Sequence, residues 1–139
     1  MTLYAETSAV LRWLFAEDGG EGIRITLAGA LKVTTSRLTL IETRRVVRRA
    51  EREGRVNAAQ AADLLGIFAQ AASTWAILEI SDDVARRAEE GFPIEPVRTL
   101  DAIHLASALL LRQALPDLLV LSADERVRGN ARALGFETP

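Results

Sequence analysis

The sequence predicts an α/β protein: a three-layer α/β/α fold around a central, mostly parallel sheet of four or five strands. Three observations lead there. Short β-branched or apolar runs alternate with longer helix-patterned segments, the order that builds a parallel sheet with helices on both faces. Leu118-Leu-Val-Leu-Ser122 is apolar without alternation, as expected of a strand buried on both faces. The chain has 139 residues, 49% hydrophobic and 26% charged, enough for one domain, 1–139, with a core that needs no staples. No repeat, low-complexity tract or linker divides it.

In chain order, a strand is expected over about 2–5 and a helix over about 8–16. Glu6-Thr-Ser8 then falls at a strand's carboxyl end, where open α/β sheets bind ligands. Asp18-Gly-Gly-Glu-Gly22 is a turn without the spacing of a phosphate loop, and a helix covers about Glu21 to Ala30. Lys32-Val-Thr-Thr35 is the second strand, and Ser36 is a good N-cap for a helix to Glu53. That helix would bury Leu38, Ile41, Val46, Val47 and Ala50, and Gly54 would end it. Asn57 caps a helix from Ala58 to about Ala72. Ala76-Ile-Leu-Glu-Ile80 is the third strand, and Ser81-Asp-Asp opens a helix to Glu90. Two prolines keep Gly91 to Pro96 out of helix.

Thr99 would cap a helix over 99–113. From Leu100 to Leu111 only Asp101, His104 and Ser107 are polar, so this helix should be buried. Leu118 to Ser122 is the fourth strand. A helix from Ala123 to Leu134 stops at Gly135, and Phe136-Glu-Thr138 could add an edge strand.

Composition excludes several chemistries. There is no cysteine and one histidine, so disulfides, thiolate metal sites and His-rich zinc sites are out. Any metal would need oxygen ligands, which suits Mg²⁺ or Mn²⁺. The first residues lack the basic start of a signal peptide, and no apolar run would span a bilayer; a cytoplasmic protein is expected. The net charge of −2 gives no global attraction to nucleic acid.

Four acids are the candidates for chemistry. Glu6 follows the first strand, Glu42 lies in the helix after the second, Asp101 opens the apolar helix and Asp124 follows the fourth strand. The crossover rule puts Glu6, Asp101 and Asp124 on one rim of the sheet, with Glu42 leaning in from the side. Carboxylates gathered there repel one another, and a divalent cation would relieve them, activate water and clamp a phosphoryl displacement. Each acid also has a plainer reading as a local helix cap or a solvated side chain.

Tyr4-Ala-Glu-Thr-Ser-Ala9, Thr35-Ser-Arg-Leu-Thr-Leu-Ile-Glu42, Arg98-Thr-Leu-Asp-Ala-Ile-His-Leu-Ala106 and Leu121-Ser-Ala-Asp124, with Ala133-Leu-Gly135 closing the series, resemble the ordered motifs of PIN-domain ribonucleases. The third motif is most similar to VapC-type toxins of bacterial toxin–antitoxin pairs. The resemblance implies a PIN-like fold and an endoribonuclease acting as the toxin of a type II pair. It implies Mg²⁺ or Mn²⁺ held by Glu6, Glu42, Asp101 and Asp124, a homodimer, and a VapB-like antitoxin that blocks the site, often with a basic side chain. One departure stands out: the family pattern has aspartate where this chain has Glu6. The extra methylene shifts the carboxylate by roughly 1.5 Å, and displacements near 1 Å can cost about 100-fold in rate. A catalytically weak PIN-like module that binds RNA or protein is therefore the alternative, and a small α/β binding domain with unrelated capping acids is a third.

Thr7, Ser36, Thr99 and Ser122 each stand close to an acid in sequence and are candidates to orient carboxylates from a second layer; N-capping explains Ser36 and Thr99 equally well. His104 is expected to be structural, because Ile103 and Leu105 flank it. Arg45, Arg48, Arg49 and Arg52 recur at helical spacing. Their stripe suits RNA phosphates, an acidic partner segment or a solvated face. Trp13, Leu14 and Phe15 are expected in the core or at an oligomer contact.

Overall fold

The computed structural model describes residues 1–139 and has three layers, with seven helices around an all-parallel four-stranded sheet. The order along the chain is β1 (Thr2–Ala5), α1 (Thr7–Leu14), α2 (Gly20–Gly29), β2 (Lys32–Ser36), α3 (Arg37–Arg52), α4 (Ala58–Ala72), β3 (Ala76–Leu78), α5 (Asp82–Glu89), α6 (Thr99–Ala114), β4 (Leu118–Leu121) and α7 (Glu125–Ala133). The strands lie in the order β3-β2-β1-β4. Thr2 to Tyr4 pair in register with Lys32 to Thr34, and Thr2 to Ala5 with Leu118 to Leu121.

Side chains alternate across the central strands, as a period of two requires. Tyr4, Leu118 and Val120 face a core closed by Phe92, Leu105, Val127 and Phe136. Leu3, Ala5, Leu121 and Val33 face the other layer, where Val10, Leu14, Leu40 and Phe68 fill the space. Leu14 is thus core, and Trp13 and Phe15 pack at its margin. Each strand leads into a helix at its carboxyl end. α6, which runs back before β4, also starts at that edge, so the N-termini of α1, α3, α6 and α7 share one rim with the ends of β1, β2 and β4.

Several expectations change in detail. Phe136 to Thr138 form no strand; one bond, from Val120 N–H to the Glu137 carbonyl at 3.0 Å, ties them to β4. β3 stops at Leu78, short of Glu79 and Ile80. Ile41 is 45% exposed and Leu100 47% exposed, so α6 is buried through Ala102, His104, Leu105, Ala106, Ser107 and Ala108 and not all round. Thr39, Leu40 and Thr43 are buried in α3 where Ile41 was expected. Thr99 does not cap α6: the capping position is Arg98, which makes no side-chain cap bond. Ser36 caps α3 as expected, accepting from the Leu38 N–H at 3.0 Å. Gly54 and Gly135, at φ +75° and +92°, end α3 and α7 in the left-handed region that glycine enters without strain. No helix is long and apolar enough to cross a membrane.

Candidate active site

The four acids meet the rim in two pairs that differ in character. Glu6 is the N-cap of α1 and is only 4% exposed. Its backbone N–H extends the β1–β4 ladder by donating to the Leu121 carbonyl at 2.9 Å. Both of its carboxylate oxygens are taken. Oε1 accepts from the Ser8 N–H at 3.2 Å, and Oε2 accepts from the Ser122 hydroxyl at 2.8 Å and from the Ser8 hydroxyl. The glutamate side chain has the length to fold back over its own helix start and reach across to the end of β4.

Glu42 lies one layer away on α3, and His104 stands between it and Glu6. The imidazole Nε2 is 2.7 Å from Glu42 Oε1 and 3.7 Å from Glu6 Oε1. Thr7 donates its hydroxyl to the same Glu42 oxygen at 2.7 Å, and its Oγ1 stands 3.1 Å from His104 Nε2. On the far side of the ring, Tyr4 Oη is 2.7 Å from Nδ1. Burial, reinforced by the charges of Glu6 and Glu42, holds the Tyr4 phenol well above its ordinary pKa, so it stays a donor. Nδ1 must then accept, and Nε2–H donates to Glu42. That proton order satisfies Tyr4, His104 and Glu42 together. Burial alone would raise the Glu42 carboxyl, but hydrogen bonds from His104 and Thr7 outweigh it and hold the group below its ordinary value of 4.5.

Asp101 and Asp124 form the second pair. Asp101 sits in the first turn of α6, where the helix macrodipole favours a carboxylate. Asp124 caps α7 with one oxygen, Oδ1 accepting from the Arg126 N–H at 2.8 Å, and leaves Oδ2 turned outward. The guanidinium of Arg98 lies between the two acids, with Nε 3.2 Å from Asp101 Oδ2 and Nη2 3.5 Å from Asp124 Oδ2. Ser122 links the pairs: its hydroxyl donates to Glu6 and accepts from the Asp124 N–H at 3.1 Å.

Of the four hydroxyls singled out in the sequence, Thr7 and Ser122 therefore reach a carboxylate. Ser36 spends its side chain on the α3 cap, and Thr99 is exposed and bonds to no acid. Arg44, Arg45, Arg48, Arg49 and Arg52 of α3 are exposed. Arg45, Arg48, Arg49 and Arg52 line a groove that runs past Ile41 and Leu100 to Glu42. Sequence reasoning passed over Tyr4, Ser8 and Arg98 and assigned His104 to packing alone. His104 is indeed 2% exposed, yet it also bridges Tyr4 and Glu42. No neighbour in the sequence signals this, since its partners lie 62 and 100 positions away.

The donors on this rim are oxygens of hydroxyls and carboxylates, the kind a hard divalent cation prefers. Asp101 and Asp124 already share one cation, the Arg98 guanidinium. The donor set thus fits Mg²⁺ or Mn²⁺ in kind, although no three of these acid or histidine side chains converge tightly enough to hold an ion as they stand.

Comparison with known proteins agrees with this arrangement of strands. Residues 3–133 match the PIN domain family. The chain belongs to the PIN-domain family. Ribonuclease VapC35 of Mycobacterium tuberculosis is 30% identical over 136 residues, which span 96% of this chain and 93% of that protein, and places the chain among the VapC relatives. Two solved structures share the fold. VapC20 of Mycobacterium tuberculosis, described as a sarcin-ricin loop cleaving toxin, superposes with a TM-score of 0.67 at 17% identity, covering 96% of this chain and 95% of its own. VapBC2 from Rickettsia felis, bound to a DNA fragment from its promoter, superposes with a TM-score of 0.65 at 13% identity, covering 100% and 98%.

Proposed function

We propose that this PIN-domain protein is a metal-dependent endoribonuclease, the toxin of a type II toxin–antitoxin pair, working as a single domain over 1–139. The observation that carries the reading is the shared rim: the ends of β1 and β4 and the start of α6 bring Glu6, Asp124 and Asp101 to one edge, and α3 turns Glu42 toward it. Glu6, Glu42, Asp101 and Asp124 would hold Mg²⁺ or Mn²⁺. The chemistry supplied by such an ion is activation of water and neutralisation of charge at the phosphorus. The protein's own share is positioning. Thr7 and His104 fix the Glu42 carboxylate, Ser122 ties Glu6 to the Asp124 backbone, and α6 and α7 present Asp101 and Asp124 from rigid helix starts where the dipoles favour their charge.

Arg45, Arg48, Arg49 and Arg52 supply a local basic stripe on an otherwise acidic molecule, suited to phosphates of an RNA strand led toward Glu42. By likeness to VapC relatives, the partners are a VapB-like antitoxin that covers the site and a second copy of the chain in a homodimer, and the setting is the cytoplasm.

One observation favours the alternative of a weakly catalytic binding module. Both Glu6 oxygens are engaged and the group is buried, so the first acid is least free to accept a cation.

Incubation of the purified protein with structured RNAs in Mg²⁺ or Mn²⁺ separates the two. The nuclease cuts RNA, loses the activity to a chelator, and loses it by at least about 100-fold in Asp101→Asn, the scale of removing one preorganised group. RNA binding with no cleavage under any metal would leave the module standing and remove the enzyme.

A further inference from the structure

Arg98 occupies an odd position. It is the capping residue of α6, where a Ser, Thr, Asp or Asn would satisfy free N–H groups, and it makes no cap bond. It also places a positive side chain at the helix end whose dipole is itself positive. Nothing about the helix asks for arginine there. The two carboxylates do: Asp101 one turn ahead and Asp124 at the start of α7 flank its guanidinium at 3.2 and 3.5 Å.

We propose that Arg98 is a built-in counter-cation that holds the Asp101–Asp124 pair in the ion-free protein and competes with the divalent cation for it. This rests on the metal-dependent reading above. The contact is suited to being exchanged. Arg98 is 67% exposed, and ion pairs that open to water contribute little to stability and rearrange readily. A divalent ion brings twice the charge and is the stronger ligand for paired carboxylates, so it displaces the guanidinium, whose long stem lets it swing clear into solvent. Until then Arg98 keeps two acids at one rim from repelling each other, and it sets a threshold of cation concentration below which the pair stays closed.

Calorimetric titration of Mn²⁺ into the purified protein, without RNA, tests this directly. Arg98→Gln is expected to bind Mn²⁺ about three- to tenfold more tightly, the size expected for one charge removed at a solvent-facing site. Arg98→Lys keeps the positive charge and stays close to the parent, and Asp101→Asn binds several-fold more weakly. Unchanged or weaker binding in Arg98→Gln, with normal binding in the parent, overturns the competition and leaves the nuclease reading intact. Absence of Mn²⁺ binding in the parent and in every variant overturns both. Because position 98 is exposed, the variants are expected to melt with the parent, which a thermal scan confirms.

Discussion

The two halves of the acidic rim solve the same electrostatic problem in opposite ways. Around Glu6 and Glu42 the charges are satisfied by neutral donors: two serines, a threonine, a backbone N–H and a histidine that is itself tied to Tyr4. Around Asp101 and Asp124 the side-chain partner is one exposed arginine that carries full charge. Even the two capping acids differ. Asp124 gives its helix one oxygen and keeps the other outward, whereas the longer Glu6 gives both away. The first half is therefore a hydrogen-bonded network of neutral donors. The second half is a pair of carboxylates joined by one exposed guanidinium, and substitutions should separate them.

The largest effect is expected at His104. Replacing it with alanine removes the bridge between Tyr4 and Glu42, opens a cavity and leaves buried polar groups unpaired; a loss of about 2–4 kcal/mol in urea unfolding is expected. A loss below about 1 kcal/mol would erase the distinction between the halves.

Next comes Glu6→Asp. The shorter side chain still caps α1 with one oxygen but no longer reaches both Ser8 and Ser122, so an oxygen is freed toward the rim. Metal-dependent RNA cleavage should rise by about tenfold, with stability lowered by about 1 kcal/mol or less. Unchanged or reduced cleavage would mean that the length of Glu6 is not what limits the site.

The smallest effect is in the acid limb of stability. Glu42 has a folded-state pKa below its ordinary value of 4.5, so its carboxylate adds stability that is complete above about pH 4.5 and is lost as pH falls through the lower folded value. Thermal melting followed from pH 7 to pH 3 should show Glu42→Gln less stable near neutrality, with the gap to the parent narrowing as pH falls below 4.5. A gap that stays constant across that range would assign the loss to packing.

The division between what could and could not be read from the chain follows the same line. The strands and the helix boundaries came from local signals: apolar runs of strand length, caps at Ser36 and Asn57, glycines at 54 and 135. Acids directly after strands needed only the handedness of the crossover to be brought together. Burial by periodicity failed at Ile41 and Leu100, because a helix that borders an open groove can expose apolar side chains that a covered helix would bury. The role of His104 was hidden for a related reason. Its apolar neighbours announce burial correctly, but the partners that make it a bridge come from β1 and α3 and leave no mark beside it. Arg98 shows an i, i+3 relation to Asp101 in the sequence, while its second contact exists only once α7 docks.

The pairing of β1 with β4 has a consequence for the timing of synthesis. Glu6 is made more than a hundred residues before its hydrogen-bond partner Ser122 and the Leu121 carbonyl that anchors its backbone. Contacts of such separation form last, since the intervening chain must be ordered before they reward the closure. A growing polypeptide thus carries Glu6 without its setting until β4 has been made. The four acids share one rim only after that strand has docked beside β1, which leaves an interval in which the chain is present but the site is not.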